Sequence, residues 1–103
     1  MSIVNSTLGT SPGNIFVSSG NTAISAMYFC NRSGATITFN LYALTYGNSV
    51  ASISNMIYSS VQLASNDTYV VDWEKLVLAN GDQLQANASA STSVTATVSY
   101  VGI

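Results

Sequence analysis

Apolar and polar residues alternate with a period of two along most of the chain, β-branched and aromatic residues are frequent, and helix-period patterns are almost absent. That periodicity marks strands with one buried face. The cleanest example is Thr36-Ile37-Thr38-Phe39-Asn40-Leu41-Tyr42, which predicts Ile37, Phe39 and Leu41 facing a core and Thr36, Thr38 and Asn40 facing water. Ile15-Phe16-Val17 is a short strand between the turn clusters Ser11-Pro12-Gly13-Asn14 and Ser18-Ser19-Gly20-Asn21. From Thr22 to Asn31, Ile24, Ala26, Tyr28 and Cys30 fall on one face and Ser25, Met27 and Phe29 on the other. Bulk on both faces predicts a central strand. Strand signals resume at Met56 to Leu63, where Ile57, Val61 and Leu63 alternate with Tyr58 and Gln62, and again at Thr68 to Val71 and Leu76 to Leu78. Gln83 to Ala88 places Leu84, Ala86 and Ala88 inward and Gln83, Gln85 and Asn87 outward. After it, Val94, Ala96, Val98 and Tyr100 alternate with Thr95, Thr97 and Ser99.

Turn chemistry separates these runs. Arg32-Ser33-Gly34-Ala35 has hairpin length, Ala64-Ser65-Asn66-Asp67 and Ser89-Ala90-Ser91-Thr92 read as turns, and Asn80-Gly81 is the strongest tight-turn dipeptide in the chain. Asp72-Trp73-Glu74-Lys75 fits one helical or 3₁₀ turn capped by Asp72. Two stretches are weakly patterned: residues 1–13, which form an N-terminal arm, and Thr45 to Asn55, which form a long loop. The expectation is a single all-β domain over residues 1–103, an antiparallel β-sandwich of about eight strands with a jelly-roll-like layout.

Composition changes the picture through charge. Only 6% of the residues are charged, two basic and four acidic, against about a quarter in ordinary soluble domains. Ser, Thr and Asn replace them, 37 of 103 residues, and hydrate the surface without giving it a field. With Arg32 and Lys75 as the only cations, the chain cannot neutralise the several phosphates that nucleic-acid binding requires. The absence of histidine removes His-based acid–base catalysis, Ser-His-Asp triads and His-liganded zinc together. Mean hydropathy is +0.34, yet Ser, Thr and Asn interrupt every apolar run well short of a membrane span. Met1-Ser2-Ile3-Val4-Asn5 has neither a basic nor an apolar signal region, so cytoplasmic synthesis is the default.

The remaining chemistry is sparse, and no catalytic, metal or cofactor site is assigned. Cys30, alone in the chain, reads as a small buried apolar residue. Asp67, Asp72, Glu74 and Asp82 are the only carboxylates; they could together hold calcium, but Asp67 and Asp82 lie in turn sequences where Asp bonds nearby amides. Trp73, Tyr46, Tyr58 and Tyr69 could stack on a glycan, with Asn and Gln reading its hydroxyls, or they could plug the domain or an interface. Arg32 and Lys75 would be satisfied by Asp72, Glu74 or a partner's carboxylates. Edge strands without Lys or Glu guards are sticky, so the chain is expected to assemble with itself or a larger structure. Contacts are expected in the arm and the long loop, through Ile3, Val4, Leu8, Tyr46, Val50 and Ile53.

The segment from Ile57 through Ser65-Asn66-Asp67-Thr68-Tyr69-Val70-Val71-Asp72-Trp73-Glu74-Lys75-Leu76 to Asn80-Gly81-Asp82-Gln83-Leu84 is similar to small tailed-phage virion proteins, especially those of phages infecting cyanobacteria and other marine bacteria. The early Phe16-Val17-Ser18-Ser19-Gly20-Asn21-Thr22-Ala23 and the closing Ser93-Val94-Thr95-Ala96-Thr97-Val98-Ser99-Tyr100 also fit, so the likeness spans most of the chain. The resemblance implies a non-enzymatic virion protein: a capsid decoration or cement protein, as a trimer on the major capsid protein, or a tail, neck or fibre component. A carbohydrate-binding module, using Trp73, Tyr58 and Tyr69, is the competing class.

Overall fold

Strands form where the alternation places them. A computed structural model describes residues 2–45, 56–71 and 76–103. These hold β1 (Ser2–Thr7), β2 (Gly13–Val17), β3 (Thr22–Asn31), β4 (Ile37–Leu44), β5 (Met56–Leu63), β6 (Thr68–Val71), β7 (Leu76–Leu78), β8 (Gln83–Ala88) and β9 (Val94–Gly102), with no helix among the described residues. The turn expected at Asp72 to Lys75 and most of the loop expected from Thr45 to Asn55 lie outside the described residues.

The strands make two antiparallel sheets. In the first, β9 lies between β1 and β3, while β6 and β7 both pair with β3, β6 along Met27–Cys30 and β7 along Thr22–Ile24. The second has the order β2-β8-β4-β5. Within the arm expected over residues 1–13, Ser2–Thr7 pairs with β9 through six consecutive positions, a strand beyond the eight expected. Its partner is about 90 residues away in sequence, and nothing local announces such a pairing.

Both sheets bury one face in a shared core. Phe29 from β3 stacks on Phe39 from β4 with ring centroids 4.3 Å apart and planes 20° from parallel, and neither ring is exposed. Ile37, Phe39 and Leu41 face this core as their alternation predicts. On β3 the expected faces hold only in part. A bulge at Ser25, between the pairs Ile24↔Tyr100 and Ala26↔Ser99, shifts the alternation, so that Ile24 is buried with Met27 and Phe29 while Tyr28 turns outward. The Ser25 hydroxyl holds the bulge by donating to the Ser99 carbonyl at 3.0 Å.

Sequence-adjacent strands mostly fall in opposite sheets, so the turns are corners rather than hairpins. Arg32–Ala35 carries the chain from β3 to β4, which do not pair with each other; Asn80-Gly81 carries it from β7 to β8 in the same way. Gly81 adopts φ 87°, a conformation that glycine takes without strain, and Asp82 N–H closes the turn on the Ala79 carbonyl at 3.1 Å.

Corners are tied to one another by polar groups. The fully buried Asn31 has its Nδ2 at 2.8, 2.9 and 3.2 Å from the carbonyls of Ala35, Leu63 and Ala64, and its Oδ1 accepts from the Ser33 N–H and hydroxyl. It thus joins the β3–β4 corner to the β5–β6 corner. At the opposite end, Ser18 N–H donates to the Asp82 carbonyl, Gly81 N–H to the Ser18 carbonyl, and Gly20 N–H to the Asn80 side chain.

Two substitutions test this account. Phe39→Ala removes the ring that bridges the sheets and is expected to cost about 3–5 kcal/mol in urea unfolding. Asn31→Ala leaves three corner carbonyls without their donor and is expected to cost about 3 kcal/mol despite deleting few atoms, whereas a space-filling role alone would cost under about 1 kcal/mol.

Candidate functional site

Exposed apolar side chains concentrate on one surface, the outer face of the first sheet. Ile3, Tyr28, Val70, Val77 and Val101 are 67%, 41%, 39%, 68% and 37% exposed, and all five point away from the core. Register explains their grouping. Val77, Ala23 and Val101 lie opposite one another across β7, β3 and β9, and Val70, Tyr28, Thr97 and Asn5 do so across β6, β3, β9 and β1. Ser, Thr and Ala fill most of the positions between, and the described part of this face carries no charged residue.

The outer face of the second sheet has different chemistry. The Asn40 carboxamide donates to Asn87 Oδ1 at 3.0 Å, Asn87 donates to the Thr10 carbonyl at 3.0 Å, and Gln85 donates to Asn14 at 2.9 Å. Gln85, expected in water, is only 6% exposed, and Tyr42 and Leu44 beside it on β4 are also buried although they belong to the face opposite Phe39 and Leu41. The Asn and Gln side chains of this row are bonded to one another and to backbone.

Where β1 and β2 border the two sheets, Val4, Asn14, Ile15, Phe16, Val17 and Tyr100 line an open groove of about 300 Å³. Phe16 and Tyr100 pack at its base, with centroids 4.7 Å apart. Ser6 follows Val4 on the inward side of β1, and its hydroxyl is buried with no partner among the described residues.

The expected contact residues divide. Ile3 is open to solvent and Val4 lines the groove, but Leu8 is 2% exposed and belongs to the core, because the β1 ladder continues through its N–H bond to Val94 and points its side chain inward. Tyr46, Val50 and Ile53 lie outside the described residues, as do Trp73, Asp72, Glu74 and Lys75. Tyr58 and Tyr69 do come together, edge to face at 6.0 Å, and Tyr69 also packs on Phe39 at 5.9 Å. They extend the Phe29–Phe39 stack toward the β5 and β6 edges, so their rings serve the core rather than forming an open platform.

The described charged and reactive groups have local partners or places in the sheets. The Asp67 carboxylate accepts from Thr68 N–H at 3.0 Å and that of Asp82 from Ala79 N–H at 2.9 Å, the turn role their sequences suggest. No three His, Cys, Asp or Glu side chains cluster among the described residues. Arg32 donates to the Thr92 carbonyl at 2.8 Å; the Asp72 and Glu74 carboxylates expected for it lie outside the described residues. Cys30 is not buried. The same bulge at Ser25 that turns Tyr28 outward places Cys30 half-exposed on the outer face, opposite Thr68 and Thr95.

Compared with protein-family models, with curated proteins and with solved structures, the chain matches none.

The sequence singled out individual residues and missed the face, because Tyr28, Val70, Val77 and Val101 each look like ordinary strand residues until the register aligns them. Tyr69→Ala is expected to destabilise the chain by about 2–4 kcal/mol in urea while Tyr69→Phe stays within about 1 kcal/mol, as befits a core ring. An exposed glycan platform would tolerate both changes.

Proposed function

We propose that this chain is a non-enzymatic structural subunit of a phage particle, a decoration or cement protein that seats as an oligomer on the capsid shell. The observation that carries the reading is the outer face of the first sheet, where five large apolar side chains stand exposed with no charge among the described positions. Contiguous apolar surface on a soluble protein marks a contact site. Covering it against a shell costs little in charge desolvation.

Strand wiring gives second support. With β6 and β7 counted as two halves of one edge strand, the sheets read 1-8-3-6 and 2-7-4-5. That order supports reading the sandwich as a jelly roll, an architecture used by viral capsid proteins and by lectins. The analogy bears on fold class, and the role rests on the face. Trimeric seating, virion location and the major capsid protein as partner follow from the resemblance to small virion proteins.

A carbohydrate-binding role has one observation in its favour, the Asn40, Asn87, Gln85 and Asn14 row on the second sheet, since carboxamides read sugar hydroxyls. Their bonds to one another would have to open first.

Cosedimentation with emptied capsid shells of the encoding phage separates the two. Stoichiometric binding that weakens at least ~10-fold in Val77→Lys and Tyr28→Lys is the expected result, both being exposed side chains of the face. No binding to shells, together with a Trp73 fluorescence response to glycans, would transfer the assignment to the sugar-binding class.

A further inference from the structure

Four strand edges border the two sheets, and three of them carry a device that discourages pairing. β2 is bulged between Asn14 and Phe16. β5 breaks register with β4 twice, and its Ser60 takes the left-handed conformation at φ 52°. The β6 and β7 edge is interrupted by the sequence Asp-Trp-Glu-Lys at 72–75, which holds three of the six charges in the chain. β1 has none of these: six residues without charge, proline or glycine, in unbroken register with β9.

We infer that β1 pairs with β1 of a second copy, antiparallel across a two-fold axis, so that the two first sheets join edge to edge. Backbone parity fixes which groups are available. Leu8 N–H donates to Val94, so residues of its parity, Val4 and Ser6, direct their amides and carbonyls toward β9. Ile3, Asn5 and Thr7 therefore direct theirs to the open edge. In an antiparallel pair only outward-directed residues can exchange hydrogen bonds, which restricts the registers. The one centred on Asn5 uses all three residues of each strand and makes about six backbone bonds.

Side chains suit the same register and favour a second copy as the occupant. Ile3 of each strand falls opposite Thr7 of the other, a β-branched pair, and Asn5 falls opposite its own counterpart, where two carboxamides can bond across the axis. Asn5 is already oriented by the Thr97 hydroxyl, which donates to its Oδ1 at 2.9 Å. No charge on β1 opposes the approach. The contact needs no capsid and touches the sheet face discussed above only at its β1 margin, and a two-fold pair is distinct from the trimer that the resemblance implies.

The test is the solution mass of the full chain by light scattering over a concentration series, with three variants. A dimer is expected for the unaltered chain. Asn5→Lys sets two ammonium groups together at the axis and should raise the dimer dissociation constant at least ~10-fold. Gln62→Lys, exposed on the β5 edge of the second sheet, should leave it unchanged. Asn5→Cys in a Cys30→Ser background should give a covalent dimer on mild oxidation, since residues paired in this way lie about 5.5 Å apart at Cα, within disulfide range. Circular dichroism establishes that each variant is folded, and the cross-linking arm decides the question should Asn5→Lys unfold. A monomer at every concentration, a trimer, or a dimer indifferent to Asn5→Lys and not cross-linked by Asn5→Cys would overturn the inference. None of these outcomes bears on whether the protein binds shells.

Discussion

The main features of this chain depend on one constraint: consecutive strands mostly fall in opposite sheets, so the chain turns a corner at every connection but those from β4 to β5 and from β6 to β7. A corner exposes backbone groups that a hairpin would pair, and in a protein with six charges they are satisfied mostly by neutral side chains and other corners, with Arg32, Asp67 and Asp82 adding charged partners. Asn31 does the most. By engaging three carbonyls and the Ser33 amide and hydroxyl, it fastens two corners and holds the ends of β3 and β5 where the Phe29–Phe39 stack requires them. The Ser18–Gly20 and Asn80–Asp82 corners do the same at the other end.

That arrangement sorts the surface. With the corners tied mostly by neutral groups, the two outer faces are free to differ, and they do: hydroxyl and branched aliphatic side chains on one, interlocked carboxamides on the other. The first can be covered by another protein without breaking existing bonds. Covering the second with a hydrogen-bonding ligand requires that Asn40, Asn87 and Gln85 exchange partners. The difference between the faces, more than any single residue, is what weighs a structural role above sugar recognition.

Much of the fold was legible in the chain. The inward set on β4, the ends of most strands and the turn roles of Asp67 and Asp82 all follow from local alternation and local hydrogen bonding. What escaped was non-local. A bulge at Ser25 leaves no trace where both faces of a strand carry bulk, so Tyr28 and Cys30 were assigned to the wrong environment. Leu8 reads as spare apolar surface until β9, some 90 residues on, pulls it into the core. Arg32–Ala35 has hairpin length, and only the identity of each strand's neighbour shows that it is a corner. The apolar face is a product of register among five strands, which periodicity within any one of them does not encode.

The position of β9 has a consequence for how the protein folds. It is the last of the described strands in chain order, yet it is the internal strand between β1 and β3. The first sheet cannot close until β9 docks, and β1 waits for it across some 90 residues of intervening chain. Pairings of such long sequence separation form slowly, and until they do β1 and one edge of β3 stand unpaired. The folding chain is therefore most prone to associate with its neighbours at the stage when β9 has not yet docked.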